Sequence, residues 1–336
     1  MRAEPGLLSL IPYPHRFLKS QKNKSTSQAI DLIDTAFHSL GNRLGGTRLQ
    51  AHFAIDTYRD DHDKAKKVVS EAKKRKRPVG TPFYIKWVAV PAYDLTASRT
   101  FTMPIGAAET LDADIIAATS EALRARLRWL FVAAYESYET YICSVYAIVG
   151  FLNPGSWPSK HRDDLSIPKA NQKWLAWFRR RASRVKRESL QKLLHALDVP
   201  VQFSAIEGCN YRYENMRCSI MVAAQLRHFI VHSEGRTSEA KFWQAVGRDL
   251  GTCVKGKPDV AEVIRVKYRG NFRGRRTARE ITFAETVVRS ETPRARGFEG
   301  WLELLGSHAA LIYSLALACY GENPRWNRPP VTVAAT

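Results

Sequence analysis

The residues best equipped for chemistry are an arginine and two histidines near the end of one predicted helix, Arg227, His228 and His232. Apolar residues recur at steps of three and four from Tyr211 to Val231, a pattern that predicts a buried helix. Arg227 takes the next step of the apolar stripe after Ala223, where an aliphatic side chain is expected. An unpaired guanidinium there would cost several kcal/mol, so it needs an anion nearby or an opening to a polar groove.

His232 follows Arg227 by five residues, which is about 140° around a helix that turns roughly 100° per residue. It falls in the last turn of the helix, shortly before Gly235, and glycine is the residue favoured just after a helix end. This spacing predicts that Arg227 and His232 flank a groove without touching each other.

The pattern around these residues resembles the signature of HEPN domains, which are helical nucleotide-binding and ribonuclease domains common in prokaryotic defence and toxin systems. That signature is an arginine, four residues, then a histidine. Members often carry a polar residue after the arginine, aliphatic residues before the histidine, and a small polar residue and a glycine after it. The residues at these additional positions are His228, Ile230, Val231, Ser233 and Gly235.

A carboxylate on an earlier helix is the predicted partner of Arg227. A long helix is predicted from Thr110 to Val149, and Glu139 lies on a flank of it that is otherwise mostly apolar. Because a semi-buried carboxylate is best tolerated beside a cation, we expect Glu139 to pair with Arg227. The alternatives are that Glu136 takes this place or that Glu139 faces water. The segment around Glu139 also resembles HEPN proteins. Many of them carry a glutamate between aromatic or aliphatic residues on an early helix that faces the helix with the arginine and histidine.

RNA can be cut without a metal when a base deprotonates the 2′-hydroxyl and cationic groups stabilise the phosphorane, so a histidine and an arginine are sufficient. The resemblance to HEPN ribonucleases implies a homodimer in which two protomers bring their motifs together in a composite cleft. It implies His232 as the acid and base, Arg227 as the phosphate-binding and stabilising group, His228 as an auxiliary, and Glu139 as the group that orients Arg227. It also implies a toxin or antiviral (abortive-infection) effector, with an antitoxin or defence-system protein as a possible partner.

His228 and His232 are also spaced like the two zinc ligands of a His-Glu-x-x-His motif. The residue after His228 is Phe229, where that motif has glutamate, and no third ligand is evident. We therefore predict no metal and no other cofactor.

The charge of the chain indicates a polyanionic partner, because 52 Lys and Arg against 32 Asp and Glu give a formal net charge of +20. Two segments that combine cations with aromatic residues are predicted to contact RNA. Their RNA-binding residues are Arg179, Arg180, Arg181, Arg269, Arg273, Arg275 and Arg276. A non-catalytic HEPN-like RNA- or nucleotide-binding interaction module is the alternative hypothesis. DNA recognition is less favoured, because the sequence has no helix-turn-helix or zinc-finger pattern.

The sequence predicts a mainly α fold, a HEPN-like helical bundle with a small β-hairpin excursion, preceded by an α+β N-terminal region. The predicted division is residues 1–109 for the N-terminal region, 110–322 for the helical domain with the hairpin at about 262–288, and 323–336 for a flexible tail. Shorter predicted helices are 25–40, ended by Gly41, Gly45 and Gly46, and 49–72, 173–197, 211–231, 238–250 and 298–320. Predicted strands are 83–90, 100–103, 263–268 and 280–284.

The five cysteines form no CxxC pair, and three of them lie in apolar helical runs. This favours reduced thiols over a disulfide framework or a zinc knuckle. The apolar run from Leu7 to Ile11 is short for a secretory signal, and the run from Ala309 to Tyr320 is well below the ~20 residues that span a bilayer. We therefore expect a cytoplasmic protein without a membrane segment.

Overall fold

The computed structural model describes residues 24–75, 82–94, 99–111, 114–158, 173–188, 190–207, 215–233, 235–250, 272–275, 278–281, 297–320 and 322. Its helices are α1 (Lys24–Lys74), α2 (Ile115–Leu152), α3 (Lys173–Glu188), α4 (Leu190–Val201), α5 (Ser204–Glu207), α6 (Met216–Ser233), α7 (Glu239–Leu250) and α8 (Phe298–Ala318). Its strands are β1 (Pro82–Asp94), β2 (Arg99–Leu111), β3 (Arg236–Thr237), β4 (Phe272–Arg275) and β5 (Ala278–Ile281). The described part is mainly helical, which confirms the predicted fold class at that level.

Helix α2 is the centre of the packing, because α1, α3, α6 and α8 all lie against it. Helix α1 runs antiparallel to α2, with the rings of Phe37 and Tyr141 6.0 Å apart and Tyr58 Oη 3.3 Å from Ser120 Oγ. Helix α8 runs parallel to α2. The aromatic and aliphatic side chains between these helices form one continuous core.

Helix α1 continues through Gly41, Gly45 and Gly46, where the sequence predicted a break. Added Cβ atoms at these glycines would meet nothing within 4 Å, so the glycines lie on the outward face of the helix. Each costs roughly 1 kcal/mol relative to alanine. Burial of the inward stripe outweighs that cost, and its buried residues across this region are Ile33, Leu40, Leu44, Thr47, Ala51 and Ala54. Because this stripe joins the core of α2 and α8, residues 24–74 belong to the bundle and not to a separate region ending at residue 109.

Strands β1 and β2 form an antiparallel pair that extends from the Pro82–Leu111 pair to the Asp94–Arg99 pair. Both strands are longer than predicted, because backbone pairing continues to satisfy the N–H and C=O groups along them. Thr110, predicted to begin a helix, instead lies opposite Tyr84, and α2 begins at Ile115.

A second antiparallel sheet has the strand order β3-β5-β4. Strand β3 follows shortly after helix α6. In the backbone register of the sheet, Arg236 of β3 lies opposite Glu280 of β5. Strand β4 lies where the sequence predicted a connecting loop, and its Gly274 pairs with Arg279 of β5. The predicted strand at 263–268 and the predicted tail at 323–336 lie outside the described residues.

Two predicted helix boundaries also differ. The helix predicted at 173–197 is described as α3 and α4, and α4 continues through Pro200 to Val201. The helix predicted from Tyr211 is described from Met216 onward, as α6. By length and composition alone, α8 could cross a membrane. In this structure it is a core helix, with Trp301, Leu305 and Ile312 fully buried.

A buried polar chain joins α2, α5, α6 and α8. His308 Nε2 lies 2.7 Å from Glu207 Oε1, and His308 Nδ1 lies 2.7 Å from the hydroxyl of Tyr138. Burial, with the charge of Glu207, holds the pKa of Tyr138 well above its usual range. A carboxylate only accepts, so Glu207 accepts from His308 when the proton is on Nε2, and in that tautomer the Tyr138 hydroxyl donates to Nδ1. Arg217 of α6 forms an ion pair at the end of this chain, with Nε 2.8 Å from Glu207 Oε2 and Nη2 4.0 Å from Asp198 Oδ2 of α4.

We expect Glu207→Ala to lower the free energy of unfolding by about 3–5 kcal/mol, because it removes the nearest anion of Arg217 from a largely buried site and leaves only the more distant Asp198 carboxylate. Urea unfolding followed by circular dichroism measures the change. Glu299→Ala is the matched control, since Glu299 also contacts an arginine and a histidine, Arg48 and His52, but in a partly exposed position. Its loss should stay under about 1 kcal/mol. Equal losses in the two variants would contradict a structural role for the buried chain.

Candidate functional site

Helix α6 carries the predicted site residues from the core to the surface. Its first half is buried on all sides, from Cys218 to Ala223, whereas His228 and His232 in its second half are exposed. Gly235, with φ of 77°, donates its N–H to the carbonyl oxygen of Phe229 at 3.0 Å. This left-handed conformation favours glycine, so Gly235 closes the helix end as predicted.

Arg227 pairs with Glu136 and not with Glu139. Its Nη2 donates to Glu136 Oε1 at 3.0 Å, with 28% of the Arg227 side chain and 51% of the Glu136 side chain exposed. The predicted anion for Arg227 does come from α2, but it is the alternative, Glu136, in place of Glu139. Arg227 Nε is buried and makes no hydrogen bond within the described part of the chain.

Glu139 has a different cation, because it is turned toward α3. Its Oε2 lies 3.3 Å from Lys186 Nζ, and its side chain is mostly buried. Burial raises the pKa of Glu139, against the opposing effect of Lys186 and then of Arg227. Glu136, Glu139, Lys186 and Arg227 therefore form one charged cluster, in which two anions and two cations from α2, α3 and α6 influence each other.

The two histidines lie on another side of α6. Their ring centroids are 4.6 Å apart and the ring planes are tilted by 49°. His232 is about 140° around the helix from Arg227. No hydrogen bond or ion pair between His232 and Arg227 occurs in the described ranges. Phe229 lies between His228 and His232 in the sequence. Its ring packs against the ring of Phe242 of α7, with a centroid distance of 5.7 Å.

Helix α3 connects a cationic surface to the charged cluster. Its inward residues Phe178, Ala182 and Val185 are buried, whereas Arg179 and Arg180 are exposed and Arg181 is half-buried. Lys186 lies one to two turns farther along the same helix, at Glu139. Of the three arginines, Arg179 is on the same side of α3 as Lys186, because seven residues correspond to about 20° around a helix.

The remaining predicted RNA-binding residues are in the β-sheet region. Arg273 and Arg275 lie in β4, and their backbones pair with Glu280 and Ala278 of β5. Arg269 and Arg276 lie outside the described residues.

Among the described residues, no group of three or more His, Cys, Asp or Glu side chains could hold a metal ion. The described residues therefore provide no third ligand for a zinc ion at His228 and His232. Cys143, Cys218 and Cys319 form no disulfide bond among the described residues.

The sequence favours Glu139 and offers Glu136 only as the alternative partner of Arg227, and it does not predict the role of Lys186. Glu136 and Glu139 are three residues apart, about 60° around a helix, so both fall on a flank of the apolar stripe. Helical phase is the sequence signal that could have shown Lys186 to be partly buried. Lys186 follows the buried Val185 and therefore lies at the edge of the buried face of α3. Phase alone does not show which neighbouring helix that edge meets.

Comparisons of this chain with protein-family models, with curated proteins and with solved structures gave no match.

The raised pKa of Glu139 predicts a specific dependence of stability on pH. The folded chain binds this proton more tightly than the unfolded chain, so the contribution of Glu139 to stability falls as pH rises through its raised pKa. The unfolding free energy of the wild type minus that of Glu139→Gln should therefore decrease from about pH 4.3, the usual pKa of glutamate, toward neutrality. Urea unfolding at a series of pH values measures this difference.

Glu136→Gln, one turn away, controls for a change of charge beside Arg227. A wild-type minus Glu139→Gln difference that grows with pH would show instead that the ion pair with Lys186 outweighs the burial of Glu139.

Proposed function

We propose that this chain is a metal-independent endoribonuclease of the HEPN type, which cuts RNA by 2′-hydroxyl attack in a composite site of a homodimer. The observation that carries the proposal is the state of Arg227. Its guanidinium is partly exposed and, among the described contacts, is held by one carboxylate through Nη2 alone. Two exposed histidines follow on the same helix.

Arg227 binds the scissile phosphate in this proposal. A guanidinium has five N–H donors, and Glu136 accepts from Nη2 only. Because Nε is buried, the remaining Nη donors of this partly exposed side chain are the ones that meet phosphate oxygens, for which a planar guanidinium is well shaped. As the phosphorane forms, its added negative charge strengthens these contacts, so Arg227 stabilises the transition state more than the bound substrate.

His232 acts as the acid and base, and His228 assists it. A histidine base takes the proton of the 2′-hydroxyl, whose oxygen attacks the adjacent phosphorus, and the 5′-oxygen leaves with a proton from an acid. The products are a 2′,3′-cyclic phosphate and a 5′-hydroxyl. In one protomer His232 is turned about 140° away from Arg227. A second protomer is therefore needed to bring a histidine to each arginine.

The charged cluster supports binding of a nucleic acid backbone. Arg179 extends the cationic surface along α3 from Lys186, Arg180 and Arg181 add cations on other sides of the same helix, and contacts of this kind supply affinity without sequence preference. In place of the role implied for Glu139, we assign the orientation of Arg227 to Glu136 and the placement of Lys186 to Glu139. The resemblance to HEPN proteins further supports a cytoplasmic toxin or antiviral effector with an antitoxin or defence-system partner.

A non-catalytic RNA- or nucleotide-binding module is the second candidate. The ion pair between Arg227 and Glu136 favours it, because the guanidinium already has an anion and needs no phosphate for its stability.

Purified protein in EDTA should cut labelled single-stranded RNA and leave 2′,3′-cyclic phosphate ends. Arg227→Ala and His232→Ala should each lower the cleavage rate by at least about 100-fold, because each removes a group that acts in the transition state. Arg43→Ala and His195→Ala remove the same residue types from exposed positions on α1 and α4, and they should cut normally.

Binding measured on the same samples separates the two candidates. RNA that is bound in a salt-dependent manner but never cut would favour the non-catalytic module. A protein that neither binds nor cuts RNA would refute both the ribonuclease and a module that binds RNA.

A further inference from the structure

One face of α2 is open to solvent and leads to the Arg227–Glu136 pair. Trp129 is on this face with 57% of its surface exposed, although Trp157 and Trp301 are buried in the core. The exposed positions of this face are Ala122, Arg126, Trp129, Ala133, Glu136 and Thr140. We call them the α2 stripe.

Trp129 and Glu136 are seven residues apart, which is roughly 10 Å along a helix and about 20° around it. The indole therefore lies on the same surface as Arg227, which Glu136 holds. Ala133 lies between them, and its small side chain leaves the surface open from the indole to the guanidinium.

The cations near Trp129 differ in their availability. Arg124 and Arg128 both bind Glu121, with N to O distances of 2.9 and 2.8 Å. Arg126 is exposed on the α2 stripe and makes no ion pair within the described ranges. One face of α2 thus presents, in order, the exposed cation Arg126, the exposed ring of Trp129 and the small side chain of Ala133. It ends at Glu136, which holds the guanidinium of Arg227.

We propose that Trp129 is a base-stacking residue for single-stranded RNA, and that Arg126 contacts the RNA backbone beside it. The inference rests on the proposed function, because it extends the strand bound at Arg227 along the α2 stripe. Every base has a π-face, so stacking on an indole tolerates any sequence. Bases in a duplex are already stacked on each other, so this surface selects unpaired segments such as loops and linear strands.

The surroundings of Trp129 favour RNA over a protein partner. Exposed tryptophans also anchor protein interfaces, but such anchors lie at the centre of patches depleted in charge. The neighbours of Trp129 on the stripe are an arginine and an alanine, and the chain carries a net charge of +20. A polyanion complements this surface.

Equilibrium binding of two oligonucleotides tests the proposal. One is a single-stranded RNA, and the other has the same length and backbone but no bases. Trp129→Ala should weaken binding of the RNA by about five- to 150-fold, as expected for loss of one stacked base. Trp129→Phe should restore most of the affinity. Binding of the abasic strand should be the same for wild type and Trp129→Ala.

Phe53→Ala is the matched control, because Phe53 is an aromatic residue with 60% exposure on the outward face of α1. It should leave binding of both strands unchanged. Arg227→Ala, measured in parallel, should weaken binding of both strands, because it removes a phosphate contact.

The outcomes distinguish this inference from the proposed function. RNA binding that depends on Arg227 but not on Trp129 would overturn the inference alone. An equal loss on both strands in Trp129→Ala, or a loss accompanied by dissociation of the protein oligomer in light scattering, would also overturn it. Absence of RNA binding by wild type, or binding indifferent to Arg227→Ala, would overturn the proposed function and the inference together.

Discussion

The placement of helix α6 depends on a buried carboxylate, Glu207, which lies between His308 and Arg217. A charge removed from water is stable only when its partners are in place, so α5, α6 and α8 must meet in one arrangement. Arg217 and Arg227 lie on the same helix, ten residues and roughly 15 Å apart. By fixing the first arginine in the core, Glu207 also sets where the second one reaches the surface and meets Glu136.

The two arginines of α6 show how burial separates structural from functional ion pairs. Removing Glu207 leaves Arg217 in a largely buried site with only Asp198, 4.0 Å away, as its anion, so a ligand cannot replace Glu207 at low cost. The pair at Arg227 is partly exposed, and such pairs contribute at most about 1 kcal/mol. A phosphate can therefore bind beside Glu136 or displace it with little loss of stability. This difference suits Arg227, and not Arg217, to a binding role.

Apolar periodicity correctly predicted the main helices, because α2, α6 and α8 bury stripes that repeat at helical spacing. It failed at Gly41 to Gly46, where local propensity indicates a break but packing of α1 against α2 and α8 prevails. It also could not choose between Glu136 and Glu139, since the choice depends on whether α3 or α6 lies beside each flank. The contact between Glu207 and His308 joins residues 101 positions apart, and no local pattern contains that information.

The separation of Arg227 and His232 around α6 affects how a composite site would assemble. Two copies of a chain with a formal net charge of +20 repel each other, so assembly of free protomers is opposed by electrostatics. A bound RNA strand neutralises part of this charge and lowers the repulsion. Binding of RNA and association of protomers would then favour each other, because any ligand that binds the dimer more tightly must by linkage promote the dimer. Under the proposed function, the substrate would thus help to complete the site that cuts it.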